Sequence, residues 1–155
     1  MKKLHIYVDT SVIGGCEDQE FSDVTHQLWS RFQAGECVMV ISDLTLRELE
    51  GAPIGVRKHL EDIPADYQIH IRLSGEAREL AEAYVAHGVV GPGSLADALH
   101  VAVATVSGVD VLVSWNFKHI VNLGRIRLFN AVNLEQGYGL IEIRSPKEVL
   151  YEEDI

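Results

Sequence analysis

Apolar residues along the chain come in two rhythms. Short, nearly continuous runs at residues 4–8 (Leu-His-Ile-Tyr-Val), 37–41 (Cys-Val-Met-Val-Ile) and 109–114 (Val-Asp-Val-Leu-Val-Ser) predict strands buried on both faces, as in a parallel sheet. Weaker runs at 68–71 and 140–143 add two short strands. Between the runs the spacing becomes helical. Residues 11–16 start a helix that Gly14 and Gly15 loosen, and Ser22 is placed to cap another ending near Ala34. That second helix carries Val24, Leu28 and Phe32 on one stripe, with Gly35 past its end. Leu44, Leu46 and Leu49 mark a helix stopped by Gly51 and Pro53, and a shorter one covers 56–60. Ser74 caps a helix over 75–87, residues 94–107 are apolar nearly all round and predict a buried helix, and 123–136 are helical. The repeated strand–helix–strand order predicts an α/β fold of three layers, helix–sheet–helix. Its central sheet is mainly parallel, has four to five strands, and is linked by right-handed crossovers. Residues 1–144 make a single domain and 145–155 a short acidic tail.

Length and composition narrow the class. A chain of 155 residues that is 47% hydrophobic can bury one sizeable core and is not a disordered chain. No apolar run approaches the roughly 20 residues needed to span a bilayer. His5 and Asp9 interrupt any signal-peptide core behind the Met-Lys-Lys start, so the expected location is the cytoplasm. Cys16 and Cys37 have no metal-ligand spacing and read as inert thiols. With 13 Lys and Arg against 23 Asp and Glu, the net charge is −10. That counts against a protein gripping nucleic acid through a broad basic surface. It leaves open an enzyme that gathers carboxylates around metal ions, where bound cations reverse the local field, and a basic protein partner.

Candidate chemistry sits where strands end. Asp9 closes the first strand and is followed by the hydroxyls of Thr10 and Ser11. Glu48 lies on the helix rising from the second strand, Asp97 in the first turn of the buried helix, and Asn116 just beyond the third strand. With parallel strands these four converge on one end of the sheet, the rim where open α/β sheets bind ligands. Oxygen donors of this kind suit Mg²⁺ or Mn²⁺ rather than zinc, and such a site activates water for an in-line phosphodiester displacement. Plainer roles compete. Asp9 could simply stop the strand or cap the following turn, and Ser94-x-x-Asp97 and Thr45-x-x-Glu48 both fit capping boxes. Glu50 competes with Glu48 as a ligand, while a carboxylate on a helix as apolar as that of Asp97 must be paired or ligated. Asp110 marks the start of the third strand. His100 and His119 are candidate bases or structural histidines. Trp29, Trp115 and the Val24–Leu28–Phe32 stripe are assigned to core or interface rather than to base stacking. Arg125 and Arg127 are phosphate contacts or solvated charges. A haloacid-dehalogenase-type phosphatase needs Asp-x-Asp where this chain has Asp9-Thr10-Ser11, and the paired acids of a phospho-acceptor receiver are missing.

Four stretches together resemble the PIN domain of VapC-type toxins from toxin–antitoxin pairs. They are Tyr7-Val8-Asp9-Thr10-Ser11-Val12, the Glu48 segment, Ala96-Asp97-Ala98-Leu99-His100-Val101-Ala102, and Val111-Leu112-Val113-Ser114-Trp115-Asn116-Phe117-Lys118-His119. The resemblance spans residues 3–143. It implies a PIN-like fold, a metal-dependent endoribonuclease using Mg²⁺ or Mn²⁺, an RNA substrate, a cognate antitoxin and a homodimer. It makes Asp9, Glu48 and Asp97 the metal-binding acids of the catalytic set, with Asn116 completing that set and Thr10 and Ser11 supporting it by orienting waters or phosphate. Asn116 departs from the family, which often has an acid there in a Thr-x-Asp pattern; a neutral oxygen implies that a second metal binds weakly or not at all. The alternative is a PIN-like domain weakened in catalysis that acts as a protein- or RNA-binding module.

Overall fold

Alternate side chains of a strand leave a sheet on opposite faces, and here each face has its own core. Tyr7, Val40, Leu112 and Ile143 point to one side; Ile6, Val8, Met39, Ile41, Val111 and Val113 point to the other. The computed structural model describes residues 2–151. The chain runs β1 (His5–Val8), α1 (Thr10–Gly15), α2 (Ser22–Gln33), β2 (Val38–Ser42), α3 (Asp43–Glu50) and α4 (Ile54–Arg57). It continues through β3 (Gln68–Ile71), α5 (Gly75–Ala86), α6 (Leu95–Ser107), β4 (Val111–Val113), α7 (Leu123–Glu135), β5 (Ile143–Arg144) and α8 (Pro146–Tyr151). The five strands form one sheet in the order β3-β2-β1-β4-β5, and every pairing is parallel. Helices α5, α6 and α7 pack on the first face and α1, α2 and α8 on the second, which gives the expected three layers. Among the described residues no helix is long and apolar enough to cross a membrane.

Several boundaries differ from the sequence reading. The tail expected from residue 145 is a helix as far as Tyr151, and its Val149 and Leu150 are buried beside α2. Ser145 and Glu148 cap it reciprocally: the Ser145 amide donates to Glu148 Oε1 at 3.1 Å and the Glu148 amide to Ser145 Oγ at 3.4 Å. The remaining tail residues, 152–155, lie outside the described residues. The last strand is shorter than expected, since Leu140 stands 70% exposed before β5 begins. Ser22 is the first residue of α2 rather than its cap, and the cap position belongs to Phe21. On α2 the buried positions are Thr25, Leu28, Trp29 and Phe32, so Val24 sits at the edge of the stripe. Neither expected capping box forms at Ser94 or Thr45. The Ser94 side chain caps nothing, and Thr45 instead stands third in α3, where its hydroxyl accepts from the Ser42 amide at 3.3 Å. Gly35 ends α2 with φ +74°, and a Cβ there would lie 2.7 Å from the Tyr67 ring, so only glycine suits that corner.

Candidate functional site

β1 and β4 are neighbours in parallel register, with Val8 opposite Val113. The residues that follow each strand therefore meet at one rim. Asp9 is 4% exposed and caps α1, the segment directly after the strand, by accepting from the Val12 amide at 3.3 Å. Its two carboxylate oxygens are divided between two hydroxyls. Ser11 Oγ donates to Oδ1 at 2.6 Å, and Ser114 Oγ donates to Oδ2 at 2.6 Å. Ser114 is fully buried and accepts in turn from the Asn116 amide at 2.9 Å, while Ser11 Oγ accepts from the Trp115 amide at 3.0 Å. The strand ends are thus tied together through the Asp9 carboxylate, and its orientation is fixed.

A second group forms between α3, α6 and β1. Glu48 Oε1 lies 2.5 Å from His100 Nε2 and accepts from Thr10 Oγ1 at 2.8 Å. The other ring nitrogen of His100 meets the Tyr7 hydroxyl at 2.7 Å, and that hydroxyl meets Ser42 Oγ at 2.7 Å. With a neutral imidazole the donors run from Ser42 to Tyr7, Tyr7 to His100 Nδ1 and His100 Nε2–H to Glu48; with a charged one His100 donates from both nitrogens and Tyr7 donates to Ser42. Tyr7, Ser42 and His100 are buried and Glu48 is about one-third exposed on its side chain, at 33%. Burial opposes ionisation of Glu48, yet the hydrogen bond and charge of His100 and the Thr10 hydroxyl prevail and hold its carboxyl below the ordinary value. Burial also keeps the Tyr7 phenol protonated well above its usual range.

Asp97, in the first turn of α6, faces the first group. Its carboxyl is raised above the ordinary value, chiefly by burial and further by the Asp9 charge, against lowering contributions from His119, His100 and a hydrogen bond with Asn116. Asn116 Oδ1 accepts from the His119 amide at 3.0 Å and so caps the turn after β4. With Oδ1 occupied, the Asn116 group available to Asp97 is the Nδ2 donor. Of the competing assignments, Glu50 is exposed, Asp110 accepts from the His5 amide at 2.7 Å, Trp29 is core, and Arg125 is bound to the Val89 carbonyl. Thr10 and Ser11 spend their hydroxyls on Glu48 and Asp9.

The structure therefore brings Asp9, Asp97 and Asn116 together, with Glu48 alongside but bound to His100. Among the described residues no three His, Cys, Asp or Glu side chains are grouped so as to hold a metal ion. What fits a divalent cation is a smaller donor set. Asp9 is a buried carboxylate with hydroxyl and amide donors and no basic side chain bonded to it. The neighbouring Asp97 has its carboxyl raised above the ordinary value by burial and by that like charge. Mg²⁺ is commonly held by one or two carboxylates, with water and substrate phosphate completing its shell. Ser114 escaped the sequence reading as a site residue; its signal was a lone hydroxyl at the end of a buried strand. Tyr7 and Ser42 also escaped it, though a tyrosine inside a buried strand must find a partner.

No family model matches the sequence, and no curated protein matches it. Several solved structures share its architecture. VapC20 of Mycobacterium tuberculosis, a sarcin–ricin-loop-cleaving toxin, aligns with a TM-score of 0.56 at 17% identity over 74% of this chain and 92% of its own. VapBC2 of Rickettsia felis, solved bound to a DNA fragment from its promoter, aligns at 0.60 with 13% identity over 92% of this chain and 98% of that one. With its all-parallel sheet between two helical layers and its acids at the carboxyl rim, the chain has the PIN-like fold of VapC toxins.

Proposed function

We propose that this protein is a divalent-cation-dependent endoribonuclease, the toxin of a toxin–antitoxin pair, working as a homodimer in the cytoplasm and restrained by a cognate antitoxin. The observation that carries the reading is the meeting of Asp9 and Asp97 at the carboxyl rim of a fold shared with an RNA-cleaving toxin. Ser11 and Ser114 hold the Asp9 carboxylate in one orientation, and burial of Asp97 makes its charge unfavourable until a cation arrives. Asp9 and Asp97 would hold Mg²⁺ or Mn²⁺, with Glu48 adding negative charge from beside them. When bound, the cation supplies charge neutralisation for the scissile phosphate and acidification of the attacking water. Asn116 steadies Asp97 through its Nδ2 donor and adds no charge.

A second reading has its own observation. Glu48 is committed to His100, and position 116 carries no charge, which favours a weakened domain that binds RNA or protein without turnover. RNA cleavage assayed with Mg²⁺, with Mn²⁺ and with chelator separates the two. Cation-dependent cleavage that Asp9→Asn and Asp97→Asn both abolish is the expected result. RNA binding with no cleavage at any cation concentration would leave the binding module standing instead.

A further inference from the structure

Three aromatic side chains cluster beside the acidic rim, and the carboxylate chemistry uses none of them. Phe21 and Trp115 are stacked, with centroids 4.2 Å apart and planes inclined by 16°. Phe117 sits against both, 6.1 Å from Trp115 and 6.4 Å from Phe21, and remains 48% exposed. The base of this cluster is rigid. Trp115 donates its indole N–H to Thr25 Oγ1 at 3.0 Å and its backbone amide to Ser11 Oγ at 3.0 Å. A Cβ on Gly15 would lie 2.8 Å from the indole nitrogen, so the ring lies flush against α1. The Phe117 amide donates to the Trp115 carbonyl at 3.0 Å, in a tight turn one residue beyond Asn116. Three peptide units separate Phe117 from Ser114, the partner of Asp9, which limits their Cα separation to about 11 Å.

We propose that Phe117, backed by Trp115 and Phe21, is a stacking platform for an unpaired base of the RNA strand entering this site. The inference rests on the ribonuclease reading above. Its physical motive is the charge of the chain. At −10 the protein cannot hold RNA by broad phosphate neutralisation, and the acids at the rim repel the backbone further. Stacking needs no charge, tolerates any base, and is the usual partner of electrostatics in single-strand binding. Because Trp115 and Phe21 already fix the ring's surroundings, little freedom is lost on binding. Lys118, exposed and next in sequence, provides a cation for a phosphate flanking the stacked base.

The test measures single-stranded RNA binding to full-length Asp9→Asn protein, and KM for RNA cleavage by the Asp9 enzyme, each with Phe117 changed to Ala, Leu or Trp. Phe117→Ala should weaken binding and raise KM about ten-fold or more, with kcat little altered. Phe117→Leu should match Ala, because bulk without a π face does not stack, whereas Phe117→Trp should keep the affinity. The factor lost in Phe117→Ala should stay the same between about 50 and 200 mM salt. Cleavage by the parent enzyme with Phe117→Ala binding and KM unchanged overturns the platform and spares the nuclease. Restoration of affinity by Leu also overturns it, as does loss of an antitoxin complex with RNA binding intact, which makes Phe117 a protein contact. If the parent neither binds nor cleaves RNA with Mg²⁺ or Mn²⁺, both readings fall together.

Discussion

Replacing Ser114 with Ala removes one oxygen and should disturb both stability and the site. The hydroxyl donates to the buried Asp9 carboxylate at 2.6 Å and accepts from the Asn116 amide at 2.9 Å. Ser114 is fully buried, so bulk water cannot take over either bond without the rim opening. A hydrogen bond to a charged group contributes about 1.5–3 kcal/mol, and the orphaned amide adds roughly 1 kcal/mol. For a domain of this size each kcal/mol moves Tm by about 2–4 °C, so Ser114→Ala should melt roughly 5–15 °C below the parent. Ser114→Thr keeps the hydroxyl and should lose much less. Circular-dichroism melts of the four proteins of an Asp9→Asn, Ser114→Ala cycle isolate the pair. Once Asp9 has lost its charge, deleting the hydroxyl should cost less, leaving a coupling of about 1 kcal/mol or more. A Ser114→Ala protein melting within about 2 °C of the parent, or additive single effects, would refute the claim that this bond fixes Asp9.

Gly15→Ala should lower stability by about 1–3 kcal/mol and shift Trp115 fluorescence, because its Cβ would lie 2.8 Å from both the indole nitrogen and Thr25 Oγ1; an unchanged melt would show that the rings yield freely. Glu48 has a depressed folded value, so its contribution is present above the unfolded value of about 4.3 and is lost as pH falls through the folded one. Denaturant melts taken down the acid limb should therefore flatten in Glu48→Gln, and an unaltered slope counts against the His100 pairing. Asp97 has the opposite sign: its raised carboxyl weakens the fold as pH rises through its folded value, so Asp97→Asn should raise the cation-free Tm at neutral pH. The same change should abolish the Tm increase that Mn²⁺ gives the parent; a destabilised variant that still responds to Mn²⁺ contradicts both statements. Asn116→Asp keeps an oxygen for the His119 amide and turns a donor beside Asp97 into a charge. It should tighten Mn²⁺ binding in calorimetric titration, and equal affinity would confine residue 116 to its capping role.

The layered fold was legible because the strands are buried on both faces and read as continuous apolar runs. Ile6 and Tyr7 serve opposite cores, yet both must be apolar enough to be buried, so the first run carries no alternation to mislead. The C-terminal segment failed for a reason of composition. Residues 145–155 are polar on average, and among the described ones Val149 and Leu150 supply the apolar burial on the helix face. The local signal was present in Ser145-Pro146-Lys147-Glu148, a capping box with proline at the first helical position. The two boxes that were inferred, at Ser94 and Thr45, match the same spacing and do not form. At Thr45 the helix begins earlier, directly from Ser42 at the end of β2, which leaves Thr45 to answer the Ser42 amide.

Asp9 and Asn116 follow strands β1 and β4 closely and could be placed at one rim from the sequence, since a parallel sheet gathers all its carboxyl termini on one side. Their partners could not. Ser114 and Asp9 are 105 residues apart, and what joins them is the register of β1 on β4. His100 shows the same limit from another direction. A histidine on an apolar helix must be satisfied, but the sequence does not say whether by a carboxylate, a phenol or the backbone. Here it takes both a carboxylate and a phenol, so Glu48 stands at the rim already paired. Motif spacing names which residues can reach the rim. Which acid is free to take a cation is decided by the hydroxyls and the imidazole already bound to it. For this chain that leaves Asp9 and Asp97 as the pair whose charges have no basic side chain bonded to them, and whose mutual repulsion a cation would relieve.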